Sequence, residues 1–197
     1  MPTYVALLRA VNVGGTGKLP MADFRKLLQG LGFKNVETYI QSGNAIFDAA
    51  GPAARVGAAI AAGLEKLMGA PVDVILRTHD DLCRVIEENP FAAEAAAGGA
   101  RVHVGFLAGR ASPAAGPALQ AIQEKYPTCR DRFHVAGDHI YFHFPDGAGE
   151  SRLNGKSVDR AVGVPGTGRN WNTVLKLHAM SAPKAAGGSK PAAKAKG

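Results

Sequence analysis

The apolar positions of this 197-residue chain switch between two periods, and that switching predicts its elements. Residues 3–9, Thr-Tyr-Val-Ala-Leu-Leu-Arg, form an apolar run of strand length, and a glycine-rich loop from Asn12 to Lys18 follows. Pro20 stands where a first helical turn tolerates a missing N–H. Phe24, Leu27, Leu28 and Leu31 then fall at i, i+3, i+4 and i+7 before Gly32 stops the helix. Val36–Ile40 and Ala45–Phe47 flank Gln41-Ser-Gly-Asn44, the pattern of a β-hairpin. A second helix carries Val56, Ile60, Leu64 and Leu67 and ends near Gly69; Val72, Val74 and Leu76 then alternate with Asp73, Ile75 and Arg77 in a strand. The order is βαββαβ. With right-handed crossovers it predicts a ferredoxin-like sandwich, one sheet with two helices on one face.

The second half repeats much of this pattern. Thr78 and Asp81 read as a capping box before Leu82, Val85 and Ile86, and Asn89-Pro90 ends that helix. Residues 92–100, rich in Ala and Gly, read as loop. A strand over 101–107, a helix from Pro113 to Lys125 and a hairpin around Gly137-Asp138 follow, then helices over 155–163 and 169–178. The expected fold is α+β, with two ferredoxin-like subdomains over residues 1–78 and 79–180 and antiparallel sheets. Residues 181–197, a lysine-, alanine- and glycine-rich tail with no large apolar side chain beyond alanine, are expected to be disordered.

Charge enters the picture unevenly. The chain carries 23 Lys and Arg against 16 Asp and Glu, a formal +7, yet Lys184, Lys190, Lys194 and Lys196 supply four of those charges. The preceding 180 residues are nearly balanced at +3, so the basic total says little about the folded part. The tail has the composition of a weak polyanion binder, or of a solubilising end. No apolar run reaches the roughly 18 residues of a membrane span. Cys83 and Cys129 stand in no metal or redox spacing, and no signal peptide is indicated; both features fit a cytoplasmic protein.

Candidate chemistry begins at the first loop. Neither phosphate motif fits it. With Gly17-Lys18 as the GK of a P-loop, Asn12 replaces the first Gly and Leu19 the Ser/Thr, and the dinucleotide pattern meets Pro20 at its last Gly. Topology is more informative. Strands one and two run parallel, so loop 12–18, the Gln41–Asn44 turn and the N-terminus of the first helix meet at one sheet edge. Arg9, Asn12, Gly14, Gly15, Lys18, Gln41, Ser42, Gly43 and Asn44 are therefore candidates for an anion site, against the alternative that their polar groups cap one another. On a helix over 169–178, Trp171, Val174, Leu175 and His178 form one face. Arg169, Asn172, Thr173 and Lys176 form another suited to phosphate, although an amphipathic helix anchored by its tryptophan has the same pattern. His134, His139, Tyr141 and His143 share one face of the second hairpin, with His103 a candidate to join them; neighbours about 7–8 Å apart and no nearby carboxylate or cysteine argue for a polar sheet surface or an inter-domain seam, so no metal site is expected. Ser42 lacks a nucleophile elbow, no carboxylate pair stands out, and strand 45–47 lacks the aromatic octamer of an RNA-recognition motif.

Four segments taken together are distinctive: Leu7-Leu-Arg-Ala-Val-Asn-Val-Gly-Gly15, Lys18-Leu-Pro-Met-Ala22, Tyr39-Ile-Gln-Ser-Gly-Asn44 and Arg169-Asn-Trp-Asn-Thr-Val-Leu-Lys-Leu177. With them the chain resembles the bacterial domain of unknown function 1697 family, over about residues 3–180. The resemblance implies two ferredoxin-like subdomains and a bacterial cytoplasmic protein, and brings no activity or cofactor with it. Gly166-Thr-Gly168 departs from the Ala-Thr-Ala of the family pattern, which is expected to loosen the start of the last helix. Three functions stay open: a binding module for a phosphate-bearing ligand (nucleotide or nucleic acid), a small enzyme on an anionic or phosphorylated metabolite with Lys18 and Arg9 stabilising charge, or a protein–protein adaptor.

Overall fold

The computed structural model describes residues 1–13, 17–126, 128–153 and 155–183. Gly14 and Gly15 of the first loop, and the tail from residue 184, lie outside the described residues. The first half runs β1 (Thr3–Leu8), α1 (Met21–Gly30), β2 (Lys34–Tyr39), β3 (Asn44–Asp48), α2 (Ala53–Met68) and β4 (Val74–Thr78). The second half begins with α3 (His79–Glu87) and α4 (Ala92–Gly98). It continues β5 (Val102–Leu107), α5 (Ala115–Glu124), β6 (Arg132–Ala136), β7 (His139–His143), α6 (Gly155–Val162), β8 (Gly166–Asn170) and α7 (Trp171–Ser181). The sheets have orders β2-β3-β1-β4 and β6-β7-β5-β8, every pairing antiparallel. Each half is the expected ferredoxin-like unit, and the fold is a duplication.

Local chemistry sets the element ends as the sequence predicts. Thr78 and Asp81 form a reciprocal capping box on α3, and Gly69 ends α2 in the left-handed conformation. Two expectations are corrected. Residues 92–98 are helix α4, not loop, with Ala95 buried; alanine favours helix enough to outweigh the flanking glycines. Residues 166–170 are not the start of a helix but the edge strand β8, paired with β5 through Val104↔Arg169 and Phe106↔Thr167. Gly-Thr-Gly-Arg-Asn contains no apolar side chain, so it gives no strand period; backbone pairing and side-chain hydrogen bonds hold it instead. Asn170 then caps α7 by accepting from the Thr173 amide at 2.9 Å.

The layers explain why β1 is apolar from Tyr4 to Leu8 and β3 from Ala45 to Phe47. On one face of the first sheet, Tyr4, Ala6, Leu8 and Phe47 pack with Phe24 and Leu28 of α1 and Ile60 and Leu64 of α2. On its other face Val5, Leu7 and Ile46 join Leu82 and Val85 of α3, Trp171, Val174 and Leu177 of α7, and Val102, Val104 and Phe106 of the second sheet in one core. A strand buried on both faces reads as a continuous run. The outer helices α5 and α6 cover the far face of the second sheet through Leu119, Ile140, Phe142 and Val158. Thus α3 and α7 form a shared central layer, and the halves have no separate inner cores.

Candidate functional site

The edge expected to carry the site is built. Leu8 N at the end of β1 donates to Gly43 O of the β2–β3 turn at 2.8 Å, which brings the two loops together. Asn12, at φ 56°, ties them further: its Nδ2 donates to Leu19 O at 2.9 Å and to Gln41 O at 2.8 Å, while its Oδ1 accepts from Leu19 N at 2.8 Å. Gly43 has φ 74°, and a Cβ there would stand 2.5 Å from Val11 and 2.8 Å from Leu8. Only glycine fits so close an approach of turn to loop.

Arg169 completes this frame, from a strand rather than from the expected helix. It lies in β8, 6% exposed, and all five of its N–H groups are used. Nε donates to Asn44 Oδ1 at 2.5 Å; Nη1 donates to Thr167 Oγ1 and Gly168 O, both at 2.8 Å. Nη2 donates to Leu8 O at 2.8 Å and Ser42 O at 3.0 Å. Burial alone pushes the guanidinium down to about 10, and it stays charged at neutral pH. No carboxylate bonds to it among the described residues. A second arginine, which the sequence reading passed over, repeats the arrangement. Arg77 of β4 donates to Leu107 O at 2.8 Å, at the end of β5, and to Asp138 O at 2.9 Å, in the β6–β7 turn. Each half thus sends an arginine from its last strand to the first-strand end and hairpin turn of the other half. Arg77-Thr78 and Arg169-Asn170, an arginine followed by a helix cap in each copy, are the signal that marks the pair. One copy has a counter-charge, Asp138 at 3.3 Å; the other has the neutral Asn44.

The remaining candidates divide sharply. Arg9 is held by Asp73 at 3.3 Å and by Asp159, which makes it part of an ion-pair cluster. Lys18 and Gln41 are exposed and Ser42 is half-buried; Lys18 makes no ion pair with a described residue. No side chain caps the start of α1 after Pro20. Asn172, Thr173 and Lys176 do not share a face with Arg169, because Arg169 precedes the helix. Thr173 is buried beside Trp171 and Val174, Asn172 lies against Gly99, and Lys176 is exposed. Leu175, expected on the buried face, is 42% exposed, and Leu177 takes its place. The hairpin histidines divide: His134 is exposed and His143 half-buried. His139 and Tyr141 are buried beneath α3, where Tyr141 donates to Val85 O at 2.9 Å, and His103 lies on the opposite face beside Phe144. That surface is the seam between the halves.

Duplicated ferredoxin-like halves, a common central layer and reciprocal arginines define the class of protein. The chain matches the sequence model of the family described as Protein of unknown function (DUF1697) over residues 1–141, and it belongs to that family. Its fold is similar to that in the structure of the conserved bacterial protein SP0830 from Streptococcus pneumoniae. That likeness has a TM-score of 0.68 at 23% identity, and it covers 92% of this chain and 98% of that one. No curated protein matches the sequence. No helix among the described residues is long and apolar enough to cross a membrane.

Proposed function

We propose that the chain is a binding module for a phosphate-bearing ligand, a nucleotide or nucleic acid, held at the edge formed by loop 12–18 and the Gln41–Asn44 turn. One observation carries this reading: the Arg169 guanidinium sits directly behind that edge, charged and buried, with five neutral acceptors and no carboxylate bonded to it among the described residues. A cation in such surroundings is poorly screened, and its field favours an anion on the surface in front of it. Lys18, Gln41 and Ser42 supply the groups a ligand would touch, and the start of α1 adds its partial positive charge. Asn12, Gly43, Asn44 and Arg169 act as the frame. Free thiols at Cys83 and Cys129 agree with a reducing, cytoplasmic setting.

Equilibrium titration of the full chain with a nucleoside triphosphate and with a short single-stranded oligonucleotide tests this reading. Lys18→Ala should weaken binding about tenfold, the effect of about 1.4 kcal/mol, and should lower the salt slope by about one ion. Unchanged affinity and slope in Lys18→Ala would overturn the site.

A further inference from the structure

Away from that edge, α3 and α7 cross the central layer side by side, packed through Leu82 and Val85 of one and Val174 and Leu177 of the other. On the half-buried rim of this contact stand His79, Cys83 and His178. His79 and Cys83 are one helical turn apart on α3, so both donors fall on the same face. A ring nitrogen of each histidine and Cys83 Sγ all lie within 4.8 Å of one another, and Cys83 Sγ is 3.3 Å from His178 Nε2. Two donors bound to one zinc ion, with bonds of about 2.0–2.1 Å to nitrogen and about 2.3 Å to sulfur, are about 3.5 Å apart. One pair already has that separation, and the third needs a shift of about 1 Å, within reach of a half-buried imidazole.

We propose that His79, Cys83 and His178 form a three-donor site for a zinc-type divalent transition-metal ion, with the fourth position open to water or a ligand. Thiolate plus two imidazoles is a donor set for Zn²⁺ and its neighbours rather than for Mg²⁺ or Ca²⁺. The surroundings prepare the donors. The Ser181 hydroxyl donates to His178 O at 3.0 Å, so it accepts from His79 Nδ1 at 3.2 Å, which leaves the lone pair of His79 on Nε2. A ligating histidine is commonly fixed in this way. The two imidazoles stack with their ring centroids 4.5 Å apart. The site lies outside the groups proposed for phosphate and does not depend on that reading. The spacing of the two cysteines leaves out His79, four residues before Cys83, and His178 arrives from the other end of the chain.

The test is a Co²⁺ titration of the chelator-stripped, tag-free full chain, followed by the thiolate-to-metal charge-transfer absorption, with Zn²⁺ as competitor. The expected result is saturation at one equivalent and loss of the band in Cys83→Ser, with Cys129→Ser unchanged. His79→Gln and His178→Gln should each weaken binding roughly 100-fold or more, beyond the 10–100-fold that a supporting residue typically costs. Circular dichroism identifies a variant that fails to fold, and His79→Gln then carries the test in place of His178→Gln. Absence of the band, its survival in Cys83→Ser, or full affinity in a folded histidine variant would reduce the cluster to a thiol–imidazole hydrogen bond and overturn the site.

Discussion

Arg169 shows how one side chain can tie a loop, a turn and an edge strand together. Its five donors meet three carbonyls, the Asn44 amide oxygen and the Thr167 hydroxyl, drawn from β1, the β2–β3 turn, β3 and β8, so truncation strands several buried acceptors at once. Arg169→Ala should lower unfolding stability by about 3 kcal/mol or more, and Arg169→Lys should recover only part, since an ammonium has three donors in the wrong geometry. Urea unfolding measures both; near-native stability in Arg169→Ala would contradict the role as frame. The matching arginine gives a pH dependence. The hydrogen bond with His139, then the Arg77 charge, holds Asp138 below its ordinary value of 3.8. A depressed carboxylate contributes stability that is present above the unfolded value and lost as pH falls through the folded one. The chain should therefore lose stability below about pH 4, and Asp138→Asn should flatten that limb of the curve. At this scale the sequence was informative about the grouping of Asn12, Ser42 and Asn44 at one edge, whereas Arg169, expected on a separate helix face, joins them only in the structure. The sequence could not show that they satisfy one another, because hydrogen-bond partners 125 to 161 residues apart leave no local trace.

Among the elements, β8 separates what is legible from what is not. Helices α1, α2 and α3 announce themselves by apolar period and by caps, and both hairpins by their turns. β8 has two glycines, a threonine, an arginine and an asparagine, and its stability lies in pairing with β5 and in Arg169. The two glycines of this strand differ in what a side chain would meet. A Cβ at Gly166 would meet Leu107 Cδ2 at 2.8 Å and Phe106 O at 3.1 Å, whereas a Cβ at Gly168 meets nothing within 4 Å. Gly168→Ala should accordingly raise stability by about 0.4–1 kcal/mol through the unfolded chain. Gly166→Ala should lower it, because the Phe106 carbonyl is backbone and cannot turn away. Thermal unfolding of the two variants decides this, and the same sign for both would contradict the placement of β8.

At the scale of the whole molecule, two small sheets become one body because each lacks an inner face of its own. The central core draws Val5, Leu7 and Ile46 from the first half, and Val104, Trp171 and Leu177 from the second. Arg77 and Arg169 then fix the ends of that seam. The duplication was legible in the repeated order of strands and helices. The seam was not, since an apolar face does not state which other face it will meet. This arrangement places the last strand of the second half behind the first loop of the first half, and the charge at that edge is a product of the assembly. The lysines at positions 184, 190, 194 and 196 offer a competing source of anion binding. Ser181 is buried, so a chain ending at Pro183 retains α7 and removes all four. The decisive measurement is the oligonucleotide affinity of that shortened chain, compared with its Lys18→Ala variant at fixed salt. Affinity within about threefold of the full chain, falling about tenfold on loss of Lys18, is the predicted result. Binding that disappears with the tail, or that ignores Lys18, would place the anion site elsewhere.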